Sequence, residues 1–456
     1  MLISFSVSNF RSFLGEETFS LVASNRIGSH EDHLVDIPNS SEKALKTAVL
    51  YGANGAGKSN LFKALRYLQK MALRQRKKNT GTGREAFRFG GEEHVPSSFD
   101  VQFVSRNNLY RYGIKVNDHR ITEEWLLQII GTKEKVLYER ITDEDSKVTI
   151  DASGLLKDSG KKLEAQVIVG SPPNQTFLST INANLEEEDI TDNLVAVMDW
   201  FANSLSLISP SSSYGPLGTE LCDDAGFRDF VSEFLKSSST GVDHLEVNRT
   251  LIKEEELKNI LPKDVATRAL DELKEMPEGG SVKIEMPNNL MLIERSKDNS
   301  YSQITIQAAH LNQKGESVAL EITEESDGTK RLLDLLPALY RLKSANAVFF
   351  IDEIDRSMHP ILVKEFLEFF IKLCTNGHRQ MIVTTHESNL LDLDLMRRDE
   401  IWFSEKDNLG ATRLYSLTDF KVRTDLEIRK HYLQGRFGAV PFLGNLERLI
   451  SKENCA

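Results

Sequence analysis

The chain has 456 residues, 40% of them apolar and 27% charged, an ordinary globular balance that excludes disorder or collagen-like structure for most of its length. No apolar run approaches the roughly 20 residues of a spanning helix, and the opening MLISFSVSNFRSF lacks a basic region followed by an apolar stretch, so neither a membrane protein nor an exported one is expected. Lys and Arg number 56 against 68 Asp and Glu, a net charge of −12, which argues against a protein that mainly coats nucleic acid, since that affinity comes from neutralising phosphates.

Leu2 to Val7 alternates apolar and polar residues and predicts a half-buried strand. Ala48 to Tyr51 predicts a second strand that runs into a glycine-rich turn, after which Leu61, Leu65 and Leu68 recur at helical spacing. Phe99–Val104 and Leu109–Val116 predict a hairpin around Arg106, Asn107 and Asn108, hence an antiparallel sheet near the N-terminus. The polar stretch Asp143–Ala165 and the Ser, Pro, Gly and Asp-rich stretch Ser209–Gly226 read as linkers or loops. Leu194–Leu207 and Lys253–Leu273 carry helical patterns. Strands return at Val282–Glu285, Leu290–Glu294, Ser302–Gln307 and Val318–Ile322. Cys222, Cys374 and Cys455 are too few and too widely spaced for a disulfide framework or a CxxC metal clip, so a reducing, cytoplasmic setting is expected.

The strongest local signal is Gly52-Ala53-Asn54-Gly55-Ala56-Gly57-Lys58-Ser59. It fits GxxxxGK[ST] and has the required strand before it and helix after it. Backbone N–H groups of such a loop, from Asn54 to Ser59, converge on phosphate oxygens at a helix N-terminus. Lys58 is placed to reach the terminal phosphates and Ser59 to ligate Mg²⁺. Val348-Phe349-Phe350-Ile351 then reads as a strand buried on both faces, ending in Asp352 and Glu353 at the carboxyl edge where open α/β sheets bind ligands. Asp352 would hold the Mg²⁺ shell and Glu353 would orient the attacking water. On their own, an apolar strand capped by Asp-Glu and a lone His386 are commonplace structural features; the ordered set carries the signal.

Glu325-Ser326-Asp327-Gly328-Thr329-Lys330-Arg331 leads into a helix marked by Leu332, Leu335, Leu336, Leu339 and Leu342. Ser-x-Gly at a helix start offers a second anion-binding end. Gly328 lies 24 residues before Asp352, and Thr384-Thr385-His386 closes a further strand, with His386 34 residues after Asp352. That order resembles the ABC ATPase class: P-loop, signature loop, Asp-Glu strand, switch histidine. ESDGT in place of LSGGQ points toward the SMC-like branch, as does the separation of nearly 300 residues between Gly55 and Asp352, which disfavours AAA+ and RecA-like arrangements. Asp355 to Pro360 resembles the loop that, in ABC proteins, contacts the opposite subunit.

Across most of its length the chain resembles ABC-type, SMC-like AAA family ATPases of the abortive-infection or RloA-like group, relatives of the overcoming-lysogenisation-defect family. The residues that carry this are Asn9-Phe10-Arg11-Ser12-Phe13, the P-loop, ESDGTKR, FIDEID, TTH and Tyr432 through Pro441. The resemblance implies an α/β fold: an ABC-ATPase head with a P-loop parallel core sheet, an N-terminal antiparallel β subdomain and an inserted, mainly helical subdomain. The expected divisions are 1–140, 141–280, 281–420 and a tail at 421–456. It further implies ATP and Mg²⁺ as ligands, with Glu353 and His386 catalytic. Arg11 would approach the nucleotide, and Ser326 and Gly328 of one copy would complete the γ-phosphate site of another in an ATP-sandwich dimer. The implied role is control of a separate effector, a nuclease or RNA-targeting toxin encoded nearby, in bacterial phage defence, with slow turnover compatible with a scaffold. Since 70 residues follow His386, no Toprim nuclease is expected, and Asp392-Leu393-Asp394 reads as an acidic loop. Gln102 is a weak candidate for the Q-loop. The rival is a RecF-like DNA repair ATPase, which would use Lys70, Arg74, Arg76, Lys77, Lys78 and Arg84 on phosphates; a solvated face is the plainer reading of that cluster.

Overall fold

A two-residue turn organises the first sheet. Arg106 and Asn107 both adopt positive φ (44° and 64°), the primed-turn geometry that matches strand twist, and they join Ser97–Ser105 to Asn108–Val116 in antiparallel register. The computed structural model describes residues 1–77, 80–91, 94–156, 160–210, 217–275, 281–286, 289–295, 300–343, 345–374, 377–421 and 427–440. Lys78, Pro441, Cys455 and much of the expected tail at 421–456 lie outside the described residues.

Two compact units result. The first contains Met1–Leu207, Asn346–Ile354 and Leu367–Ala456; the second contains Ile208–Ala345 and Asp355–Phe366. In the first, a seven-stranded antiparallel sheet runs Val148–Asp151, Lys133–Thr142, Ile121–Ile130, Asn108–Val116, Ser97–Ser105, Leu2–Ser8, Glu17–Ser20. Its alternation is the one expected of Leu2 to Val7: Phe5 and Val7 are buried opposite Val101 and Phe99, with serines between. A six-stranded sheet runs Leu205–Ile208, Val348–Ile351, Gln380–Thr385, Thr47–Tyr51, Ile401–Lys406, Thr412–Ser416, and its central pairings are parallel. Gln380 links the two sheets, accepting from Leu2 N–H (2.6 Å) and donating to Leu2 O (2.9 Å). The fold is therefore mixed α/β, with a parallel P-loop sheet and an antiparallel sheet near the N-terminus.

Residues 141–207 pack within this first unit, so neither the expected break at 140 nor a loop over 143–165 describes them. That polar stretch forms the strand Val148–Asp151 and the helices Ser153–Leu156 and Lys161–Val169, because Ala152, Leu155 and Leu163 are buried in the core. Buried Glu124 accepts from Phe177 N–H (2.6 Å) and Leu178 N–H (3.2 Å), capping the helix Phe177–Asn184, and from Tyr138 (2.7 Å). A carboxylate at a helix N-terminus satisfies donors that have no partner in the helix. The pattern over Leu194–Leu207 is helical only in part: Asp192–Asp199 is α-helix, Trp200–Ser204 is a π turn and Leu205–Ile208 is a strand. Trp200 stacks on Phe103 with ring centroids 4.0 Å apart.

The second unit holds an antiparallel sheet in which Tyr301–Leu311 pairs with Val242–Ile252 along one edge and with Asn289–Arg295 and Ser317–Glu321 along the other, Ser281–Met286 lying outermost. The insertion thus combines helices with a sheet. The helical stretch Lys253–Leu273 divides into Glu254–Ile260 and Lys263–Glu275, since Leu261 before Pro262 takes an extended backbone (ψ 151°), as a residue preceding proline must. Asp224 caps the helix Ala225–Ser237 through Phe227 N–H (2.9 Å) and accepts from Tyr340 OH (2.9 Å).

Candidate nucleotide site

Thr47–Tyr51 is buried at every position, as a central strand in a parallel sheet is. Its carboxyl end opens into Gly52. A Cβ on Gly52 would lie 2.4 Å from Ser404 O, and one on Gly57, whose φ is +116°, would lie 2.1 Å from Thr412 Oγ1. The loop therefore passes where only glycine fits. Ser404 Oγ (3.0 Å) and Thr412 Oγ1 (2.9 Å) both bond Ala56 O, which fixes the Ala56–Gly57 peptide plane. Asn54 and Gly55, by contrast, are exposed. The helix Lys58–Leu73 follows, with Leu61, Leu65 and Leu68 buried as their spacing predicts. Phe62 meets Phe350 edge-on at 5.6 Å, holding this helix against the strand that carries Asp352.

Lys58 is buried, and its Nζ donates to Gly52 O (2.7 Å) and Ala53 O (3.2 Å) and stands 3.4 Å from His386 Nδ1. Ser59 Oγ donates to Asp352 Oδ1 at 3.2 Å across 293 residues of sequence. Thr384 Oγ1 donates to the same carboxylate oxygen at 2.6 Å and accepts the N–H of Glu353 at 2.8 Å. Glu353 itself has φ 50°, a left-handed conformation that costs a non-glycine residue on the order of 1–3 kcal/mol and clusters at functional positions. Asp352 is buried, Glu353 half-buried and His386 exposed. The structure thus gathers Lys58, Ser59, Asp352, Glu353 and His386 at the carboxyl ends of three adjacent parallel strands.

The Asn9–Phe13 segment is fastened to the same place. Asn60 Nδ2 donates to Ser12 Oγ (2.8 Å), Thr412 Oγ1 bonds Ser12 Oγ (2.7 Å), and Thr412 N–H donates to Ser12 O (2.7 Å). Arg11, at φ 52°, is paired with Glu85, so its guanidinium is held by a carboxylate. The closing segment also packs on the P-loop strand: Tyr432 lies 6.0 Å from Tyr51 and stacks with Phe403 at 5.7 Å, and its OH donates to Ala439 O (3.1 Å).

Ser326 and Gly328 belong to the second unit. Ser326 caps the helix Asp327–Arg341 by accepting from Thr329 N–H (3.1 Å); a Cβ on Gly328 would lie 2.8 Å from Ser357 O. Glu325, just before them, meets His310 Nε2 at 2.6 Å. Gln102 sits mid-strand opposite Arg111 and Ser4. Asp392 Oδ1 accepts Asp394 N–H (3.0 Å), a local turn that matches the acidic-loop reading. Arg84 departs from the basic cluster: it is buried, donating to Asp118 (2.6 Å) and Val95 O (2.6 Å). Sequence reasoning passed over Thr384, Ser404 and Thr412 as site residues; Thr384, beside His386 at a strand's carboxyl end, was the one with a local cue.

The family described as "AAA domain, putative AbiEii toxin, Type IV TA system" matches residues 48–168 and 220–392, well over half of the chain. The chain belongs to this AAA family. The matched ranges include the P-loop, ESDGT, Asp352-Glu353 and His386. No curated protein matches the AAA chain in sequence. Among solved structures, it is similar to the SMC head domain from Thermotoga maritima (11% identity, TM-score 0.37, covering 91% of this chain and 98% of that one). It is also similar to the Smc head domain with an extended coiled coil bound to the C-terminal domain of ScpA, derived from Pyrococcus furiosus (13%, 0.38, 91% and 96%).

Proposed function

We propose that the chain binds Mg²⁺ and ATP at the P-loop and hydrolyses the terminal phosphoanhydride, as an ATPase that controls a separate effector in anti-phage defence. The hydrogen bond between Ser59 and Asp352 carries this reading: a hydroxyl and a buried carboxylate, brought together from distant parts of the chain, form the hard oxygen pair a hydrated Mg²⁺ requires. The glycine-only passage at Gly52 and Gly57 is the cradle that lets backbone N–H groups approach phosphates. Mg²⁺ held by Ser59 and Asp352 supplies neutralisation of phosphate charge. Lys58 releases the loop carbonyls to pair with phosphate oxygens, Glu353 orients the attacking water, and His386 lies beside Lys58 at the terminal phosphate.

Ser326 and Gly328 of a second copy complete the site, in keeping with the ABC-like order of motifs, so the active form is at least a dimer. The AbiEii toxin in the family's description supports a toxin-like effector as partner. Single-turnover hydrolysis by the isolated chain, by Lys58→Ala and by Glu353→Gln tests the proposal. It predicts weakened nucleotide binding in the first variant and a trapped nucleotide-bound dimer in the second; hydrolysis at the parental rate in both overturns it.

One observation favours a second reading, DNA binding in a RecF-like manner. The Lys70 ammonium is pushed down by partial burial and then by Arg66, Arg74 and Arg76, so four cations are close enough to feel one another. Binding to duplex DNA that falls steeply with salt favours this reading, since each neutralised phosphate releases counterions.

A further inference from the structure

A short turn, Glu31–His33, brings together three side chains that the nucleotide site does not use. His30, Asp32 and His33 each place a ligand atom within 4.8 Å of the others, and the two imidazole centroids are 4.9 Å apart. Each ring is already fixed from behind. His30 Nε2 bonds Leu393 O at 2.8 Å; a carbonyl only accepts, so the proton is on Nε2 and the lone pair of the neutral ring is on Nδ1. His33 Nδ1 lies 2.9 and 3.0 Å from the two oxygens of buried Glu400, which leaves its Nε2 as the ligand atom. Glu400 in turn accepts Arg397 N–H at 2.7 Å, and Arg397 is buried and locked by Asp399 (2.9 Å). Carboxylates and carbonyls behind imidazoles in this way set tautomer and ring direction at metal centres. Asp32 is exposed, its backbone O accepting from Lys46 Nζ at 2.6 Å.

We propose that His30 Nδ1, His33 Nε2 and the Asp32 carboxylate bind one divalent transition-metal ion, with water completing the shell. Two imidazoles and one carboxylate suit Zn²⁺ rather than the harder Mg²⁺, so this centre is chemically distinct from the Ser59 and Asp352 pair. The ion clamps residues 30–33 beside the 393–400 segment, which leads directly into Ile401–Lys406, the strand that pairs with the P-loop strand.

The test uses the untagged full chain, stripped with a chelator and titrated with Zn²⁺ in a calorimeter and with Co²⁺ in a spectrophotometer. One equivalent is expected to bind, with Co²⁺ giving visible ligand-field bands and no thiolate charge-transfer band. His30→Ala and Asp32→Asn, at positions that are partly or fully exposed, are expected to keep the parental circular dichroism and to weaken binding about 10-fold or more. Ser59→Ala is expected to leave it unchanged. Absence of stoichiometric binding, a thiolate band, or parental affinity in both ligand variants overturns the proposal and leaves His33 and Glu400 as a buried hydrogen-bonded pair.

Discussion

Ser59 Oγ stands 3.2 Å from Asp352 Oδ1, joining the start of the P-loop helix to the end of a strand 293 residues away. Each half of the pair belongs to a recognisable motif, and the bond between them turns two motifs into one site. Lys58→Ala should lower nucleotide affinity at least tenfold, about 1.4 kcal/mol or more, read by titration with a fluorescent ATP analogue. Glu353→Gln should leave that affinity in place and slow hydrolysis by about 10²- to 10⁴-fold.

Thr384 is the residue through which Asp352 and Glu353 are held together. Thr384→Val removes the hydroxyl that donates to Asp352 and accepts from Glu353. It should cost about 1–3 kcal/mol in urea unfolding, because a buried carboxylate and a backbone N–H both lose a partner. Thr384→Ser, which restores the hydroxyl, should recover most of the stability and the turnover.

Gly57 has no room for a methyl group and a backbone that disfavours one. Gly57→Ala should therefore abolish nucleotide binding and reduce stability by more than about 1 kcal/mol, the strain of an L residue at positive φ adding to the clash with Thr412. Relieving the worst of the clash with Thr412→Ala in the same chain, which takes away both Oγ1 and Cγ2, should restore little, because the φ of +116° remains.

Cys374 gives a pH dependence. Burial pushes its thiol up from 9.0 to about 12, with Arg379 and Lys46 opposing. The folded-state value is raised, so this group's contribution is fully present below pH 9 and is lost as pH rises toward 12, where the unfolded chain ionises first. The loss approaches about 1.4 kcal/mol per pH unit for one proton. Urea midpoints across that window should fall faster for the parent than for Cys374→Ser, the tyrosines common to both cancelling in the difference.

What was legible in the sequence was what is written locally. The glycine string, Lys58 and Ser59, the apolar strand before Asp352 and the Ser326 cap each occupy a few consecutive residues. Their strands and helices fall where periodicity places them. Ser404 and Thr412 were not legible, since a single hydroxyl in a strand carries no pattern and only the sheet brings both to Ala56 O. The polarity of Asp143–Ala165 concealed a strand and two helices because three buried residues, Ala152, Leu155 and Leu163, suffice to anchor them. Arg84 looked like part of a basic face until its burial against Asp118 was seen. His30, Asp32 and His33 are adjacent in sequence, but their fixed tautomers depend on Leu393 and Glu400, more than 360 residues away.

The place of Thr47–Tyr51 between Gln380–Thr385 and Ile401–Lys406 bears on synthesis. Gln380 follows Tyr51 by 329 residues, so at about 5–20 residues per second a ribosome takes roughly 15 to 70 seconds to deliver even the first flanking strand. Throughout that interval a strand that is apolar apart from Thr47 lacks both of its flanking strands, a template for pairing between nascent chains on one polysome. The candidate nucleotide site, whose Asp352 and His386 also lie late in the sequence, is consequently a late assembly, completed only after most of the chain has been made.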